Sequence, residues 1–158
     1  MNRVVATLPE SVSELCLVRV GIQARGLRAV GYAIGLGRAI DRASRAATAE
    51  DAGLLRSERF VIGWNHFGFL QYWRSFDAME AWSHRPPHAD WWRQAADRGR
   101  RRGDFGIYHE TYLVPNDRLE TIYLDCQPVG LGTFGTLNDA SGPRTTGRDR
   151  LGRRPPQP

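Results

Sequence analysis

Imidazoles set among large aromatic rings are the groups in this chain best suited to chemistry. Between Gln71 and Tyr112 the sequence reads QYWRSFDAMEAW, then HADWW, then GDFGIYHETY. His88 and His109 stand beside Trp73, Trp91 and Trp92. A histidine titrates near pH 6.5, so a buried neutral imidazole can take a proton from a bound molecule. Aromatic walls supply the apolar lining of a small-molecule pocket and stack on planar ligands. His88 and His109 are therefore the candidate catalytic bases. Tyr72, Trp73, Asn65, Trp64, Trp92 and Tyr112 are the candidate substrate-binding residues. The competing readings stay open: His109 as a strand histidine bonded within the sheet, His88 as a helix-start residue at the surface, the tryptophans as core or subunit interface, and Asn65 as a turn residue.

Other chemistries fit less well. His84 and His88 have the spacing of a metal-binding helix face, but Pro86 and Pro87 between them break the helix, so no metal site is expected. Gly130–Gly135 (GLGTFG) matches GxGxxG, yet no helix pattern follows it, so a nicotinamide or flavin site is not expected. All 22 basic residues are arginine and the net charge is +5. Arg98, Arg100, Arg101 and Arg102 close a predicted helix, where positive charge complements the helix dipole. The other arginine cluster lies in a polar tail, so no nucleic-acid partner is expected. Cys16 and Cys126 form no zinc or CxxC spacing. Each lies in an apolar strand-like run and reads as core. With no apolar leader and no membrane-length run, the expectation is a cytoplasmic chain without membrane attachment.

The elements that must position these residues follow from periodicity. Residues 1–13 read as a polar lead-in, 14–137 as one domain, and 138–158 as a disordered Arg/Pro/Gly tail. Leu15–Ile22 is an apolar strand run. Residues 27–47 have helical spacing, weakened by Gly31, Gly35 and Gly37, glycines that either let the helix approach a sheet closely or leave room for a ligand, or else mark an irregular first helix. Arg59–Trp64 and Phe67–Trp73 form a hairpin around Asn65 and His66. Ser75 caps a helix that Pro86 and Pro87 end, and Ala89–Arg100 continues as helix. Phe105–Val114 and Leu119–Cys126 are further strands. The order β-α-β-β-α-β plus a C-terminal strand is the ferredoxin-like α+β arrangement. Strand 105–114 carries Tyr108, Glu110 and Tyr112 on one face and Ile107, His109 and Thr111 on the other. Both faces demand cover, so a homodimer closing two sheets into an α/β barrel is expected.

The words QYWRSF at 71–76, His88 with Trp92, GDFGIYHETY at 103–112, and Tyr123 with PVGLG at 128–132 resemble the DUF4188-type monooxygenase family. That family includes a fungal member of terpenoid biosynthesis and sits among the dimeric α/β-barrel proteins. The resemblance spans residues 15–137. It departs where this chain has Asn65, His66 and Phe67 in place of the usual Arg and Thr, which leaves His66 outside the carry-over. It implies a small-molecule monooxygenase of secondary metabolism that works without flavin or nicotinamide on an electron-rich substrate. The wider superfamily implies two alternatives: haem bound through His88 or His109, as in aldoxime dehydratases, or a non-catalytic accessory protein.

Overall fold

A computed structural model describes residues 2–9 and 11–152. Along the chain the elements are β1 (Arg3–Thr7), β2 (Glu14–Ala24), α1 (Leu27–Ala49), β3 (Leu54–Gly63), β4 (His66–Trp73), α2 (Phe76–Ser83), α3 (His88–Arg102), β5 (Phe105–Pro115), β6 (Tyr123–Leu124), β7 (Thr136–Asp139) and α4 (Gly147–Arg150). The chain divides into two compact units, one running from Cys16 to Tyr112 and the other joining the residues up to Leu15 with those from Leu113 onward. Among the described residues no helix is long and apolar enough to cross a membrane.

The Cys16–Tyr112 unit holds a sheet in the order β3-β4-β2-β5 with α1, α2 and α3, which is the expected ferredoxin-like arrangement. β4 pairs antiparallel with both β2 and β3, placing Cys16 opposite Trp73 and Gly21 opposite Gly68. The β3–β4 connection is a two-residue turn, Trp64–Asn65. Asn65 locks it by donating its side-chain N–H to the Ala24 carbonyl at 2.9 Å. Alternation along β4 sends Phe67, Phe69, Gln71 and Trp73 to one face. On β2 the same face carries Cys16, Val18, Val20 and Ile22.

The helices begin and end where their residues dictate. Ser75 caps α2 by accepting a hydrogen bond from the Ala78 N–H at 3.2 Å, and Asp77 sits in the first turn, where a negative charge is favoured. Gly103 ends α3 in the left-handed conformation, φ 59°, after Arg100, Arg101 and Arg102. The inner stripe of α1 is Ala29, Ala33, Gly37, Ile40, Ser44 and Ala47, almost entirely small residues. Four of them are buried. Small residues let the helix lie close to the sheet, but they fill little volume.

Gly37 is where this matters most. A Cβ built there would meet nothing within 4 Å. Glycine in a helix interior costs about 0.5–1 kcal/mol relative to alanine. Gly37→Ala is therefore expected to raise unfolding stability by that amount in a urea titration. A destabilised Gly37→Ala would mean that the space beside α1 is closed in solution.

The other unit holds a three-stranded sheet, β6-β1-β7, with β1 at its centre and antiparallel to both neighbours. Three expectations change here. The lead-in is not merely polar: residues 3–7, RVVAT, form the central strand, with Val5 and Ala6 buried. The strand expected over 119–126 shrinks to Tyr123–Leu124, and Cys126 is exposed at a bend rather than in a core. Within the expected disordered tail, β7 extends to Asp139 and residues 147–150 form α4. Polar groups order that segment. Arg150 pairs with Glu120 at 2.6 Å, Arg3 donates to the Thr145 carbonyl, and Thr146 and Asp149 form a reciprocal cap. Residues 153–158 of the tail lie outside the described residues. The Gly130–Thr133 segment is a 3-10 turn around Tyr123, whose hydroxyl donates to the Val129 carbonyl and accepts from the Gly132 N–H, both at 2.8 Å. A Cβ on Gly132 would come within 2.7 Å of that ring, so the glycine serves close packing rather than a phosphate.

Candidate functional site

The core of the Cys16–Tyr112 unit forms two separate clusters. One gathers Cys16, Val18, Ala47, Leu54, Trp73 and Met79; the other gathers Ile22, Ala24, Ala29, Ala33, Ala95 and Phe105. Between them lies a partly open pocket of about 60 Å³, bounded by the sheet, the small-residue stripe of α1, and the aromatic faces of α2 and α3. Its lining residues are apolar or aromatic apart from Gln71 and His88, with Trp82, Trp91 and Trp92 supplying the rings. Two open spaces adjoin it. A groove of about 380 Å³ between α1 and β3 shares Ala33, Gly37, Phe67, Gly68 and Phe69 with the pocket. A cleft of about 600 Å³ shares His88 and Trp92 with it.

His88 is the first residue of α3 and stands in the wall between pocket and cleft. Its Nδ1 lies 3.0 Å from the Ser83 carbonyl oxygen. A carbonyl only accepts, so the neutral ring carries its proton on Nδ1 and its lone pair on Nε2. The Trp82 ring packs against the imidazole with centroids 4.7 Å apart, and Trp82 in turn packs on Trp73 at 5.3 Å. Burial pushes the His88 pKa below its ordinary value of 6.5; the Ser83 bond opposes that shift, and the nearby His109 adds to it. His88 is thus a neutral, oriented proton acceptor at neutral pH.

His109 is exposed on β5 and borders the cleft, not the pocket. The edge of Trp92 faces it at 6.2 Å, and Thr111 Oγ1 lies 3.5 Å from its Nδ1. Partial burial lowers its pKa as well. His84 also borders the cleft. Among the described residues no group of three histidine, cysteine, aspartate or glutamate side chains is placed to hold a metal ion.

The remaining sequence candidates scatter. Trp92 lines both pocket and cleft, and Trp91 lines the pocket. Trp64 is 65% exposed at the hairpin tip and borders only the outer groove. Asn65 is committed to the turn. Trp73 is fully buried and lies behind the pocket wall. Alternation puts Tyr72 and Tyr112 on the opposite sheet face, where neither lines the pocket, the groove or the cleft. That face carries its own cluster. His66 Nε2 and the Tyr108 hydroxyl are 2.9 Å apart, Arg19 pairs with Glu110 at 3.4 Å, and the Arg19 guanidinium lies 5.3 Å from the Phe60 ring centroid. Burial raises the Tyr108 pKa.

Sequence reasoning missed Gln71 and Trp82. Gln71 had a readable signal: a polar residue at an inward position of an otherwise apolar alternation. Trp82 read only as one residue of an apolar helix face. Gly37, one of the three glycines read as leaving room for a ligand beside the first helix, does line the pocket.

Residues 15–131 match a family described as monooxygenase af470-like. No curated protein matches the chain. Among solved structures, an aldoxime dehydratase is similar with a TM-score of 0.71 at 18% identity, over 96% of this chain and 44% of that one. An aldoxime dehydratase in complex with butyraldoxime gives 0.70 at 16% identity, over 95% and 42%. SnoaB, a cofactor-independent oxygenase from Streptomyces nogalater, gives 0.43 at 14% identity, over 63% and 91%, a likeness too low to argue from. The dehydratases share the fold, and this chain spans less than half of their length.

Proposed function

The chain belongs to the monooxygenase af470-like family, and from that premise we propose that it oxygenates an electron-rich small molecule in the helix–sheet pocket, without flavin or nicotinamide. The observation that carries this reading is His88: neutral, tautomerically fixed by Ser83, and set in the wall of an apolar, aromatic-lined pocket. Its Nε2 takes the hydroxyl proton of a phenol or enol. The anion passes one electron to O₂, the resulting pair combines, and His88 returns its proton to the peroxide anion to give a hydroperoxide. Loss of water, which takes the hydrogen of the oxygenated carbon, then leaves one oxygen atom in the product and one in water, with all four electrons supplied by the substrate. The pocket excludes bulk water from the intermediate.

Size constrains the substrate. Drug-sized ligands occupy pockets of about 300–1,000 Å³. The pocket space is about 60 Å³, so the reacting end enters the pocket while the rest lies in the groove or the cleft. His88 has the orientation of a metal-ligating histidine. The pocket on one side of it is too small for a rigid porphyrin, so a haem would have to lie in the cleft of about 600 Å³ on the other side, against His88, His109, Trp92 and Arg93. No step is assigned to it.

Oxygen uptake by protein alone, with a panel of phenols and enols under labelled O₂, tests the reading. One labelled atom per product molecule is the expected result. Uptake that requires an added reductase, or that is unchanged in His88→Ala, would remove it. A family member that binds such compounds without oxygen uptake would instead be an accessory protein.

The assembly is part of the same proposal. Within the Cys16–Tyr112 unit the helices cover one sheet face, and Leu17, Leu70 and Tyr72 are half-buried on the other while Tyr112 is 47% exposed. We propose a cytoplasmic homodimer built on that face. Light scattering is expected to give twice the mass of one chain, and Leu70→Glu is expected to yield monomer; a wild-type monomer at micromolar concentration refutes it.

A further inference from the structure

Gln71 is the polar group in the pocket wall that the mechanism above does not use. It sits on β4 between Leu70 and Tyr72, at an inward position, and is 4% exposed. Burying an amide among aromatic and aliphatic side chains is unfavourable unless its hydrogen-bonding groups are met. Two of them are. Trp73 donates its indole N–H to Gln71 Oε1 at 3.2 Å, and Gln71 Nε2 donates to Ser44 Oγ at 3.3 Å. Because an indole N–H can only donate, the amide oxygen must face Trp73 and the amide nitrogen must face the other way. The nitrogen carries a second N–H, which has no acceptor among the described residues. Trp73 is fully buried and Ser44 is 2% exposed, so the amide is held from both ends and cannot swing.

We propose that this second N–H of Gln71 is the pocket's substrate-orienting donor. The ligand class is then narrowed to apolar molecules whose reacting end bears a hydrogen-bond-accepting oxygen, such as a ketone, an enolate or a phenolate. This rests on the pocket being the substrate site. In the reaction proposed above, His88 removes the hydroxyl proton and Gln71 holds the oxygen on which negative charge develops. A donor fixed before the substrate arrives costs no reorganisation when that charge forms. A buried donor left without its acceptor is costly, so the site discriminates against the corresponding hydrocarbon.

The test uses acetophenone and ethylbenzene, which match in shape and differ in the carbonyl. Affinities for both are measured by ligand-observed NMR on the wild-type chain and on Gln71→Met. Comparing the ketone-to-hydrocarbon ratio between proteins cancels the partition of each compound out of water. The ratio is expected to fall about two- to tenfold in Gln71→Met, the range of one neutral hydrogen bond. The infrared carbonyl stretch of bound acetophenone is expected to lie at lower frequency in the wild type than in the variant. Gln71→Leu removes the amide with a different apolar side chain and gives the same loss should Gln71→Met fail to fold. An unchanged ratio with an unshifted carbonyl stretch overturns the proposal and leaves Gln71 as a tie between α1 and β4. A ratio that responds while no substrate takes up oxygen keeps the Gln71 assignment and removes the oxygenase reading; oxygen uptake with an unresponsive ratio does the reverse.

Discussion

His88→Ala is expected to lower kcat/KM about 10²- to 10⁴-fold, the usual contribution of a positioned general base. His109→Ala is expected to change it far less, because His109 borders the cleft and is absent from the wall of the pocket. The pH profile separates a base from a packing residue. The His88 pKa lies below 6.5, so its lone pair is available at and above that pH. The profile should be flat above 6.5 and fall only as the pH drops through the lowered value. Stability moves in the same direction. Below 6.5 the unfolded chain binds a proton that the folded chain resists, so unfolding is increasingly favoured as the pH falls, until the folded histidine also protonates. His109 contributes with the same sign. Denaturant midpoints on either side of pH 6.5 should therefore converge in the His88→Ala, His109→Ala double variant. An acid-side loss of stability unchanged in that variant would assign it to the carboxylates instead.

The fold was legible because its signals are local. Ser75 and Gly103 each mark a helix boundary within one residue of the observed one, while α2 ends at Ser83, three residues before Pro86. The break between two apolar runs marked the β-hairpin, with the turn one residue earlier than expected, at Trp64–Asn65, and His66 inside β4. The order of the elements then leaves few topologies open. The three-stranded sheet was not legible. β6 and β7 are two and four residues long, and β1 joins them across more than a hundred residues of chain. Its ordering interactions, such as Arg150 with Glu120, are polar and leave no hydrophobic period.

The site was half legible for a similar reason. Composition pointed to aromatic rings near His88, but strand parity sorted them. Tyr72 and Trp73 are adjacent in sequence and face opposite sides of the sheet. Parity along β4 could have separated them in advance, and it would also have exposed Gln71 as the polar residue among Phe67, Phe69 and Trp73. What the glycines of α1 could only suggest is the void. It exists because the inner stripe of α1 is too small to join the two core clusters, a volume mismatch that appears only once helix and sheet are packed together.

Trp73 should prove structural, and its loss should be the most destabilising of the tryptophan truncations. The ring is fully buried, packs on Trp82 at 5.3 Å, and donates its N–H to Gln71. Trp73→Ala removes a large core side chain, a change that costs about 3–5 kcal/mol. It also leaves the Gln71 carbonyl without its donor, adding to the loss. For a chain of this size about 4 kcal/mol corresponds to a fall in Tm of roughly 8–16 °C. Trp73→Phe keeps most of the ring but not the N–H, and is expected to cost about 1–3 kcal/mol. Trp64→Ala is the control: at 65% exposure on a hairpin tip, it should stay within about 0.5 kcal/mol of the wild type. The comparison also bears on the pocket. Trp73 reaches the cavity only through Gln71 and Trp82, so Trp73→Phe should weaken acetophenone binding through a loosened amide while ethylbenzene binding holds. Equal costs for Trp73→Ala and Trp64→Ala would mean that the β4 parity, and with it the placement of Gln71 in the wall, is wrong.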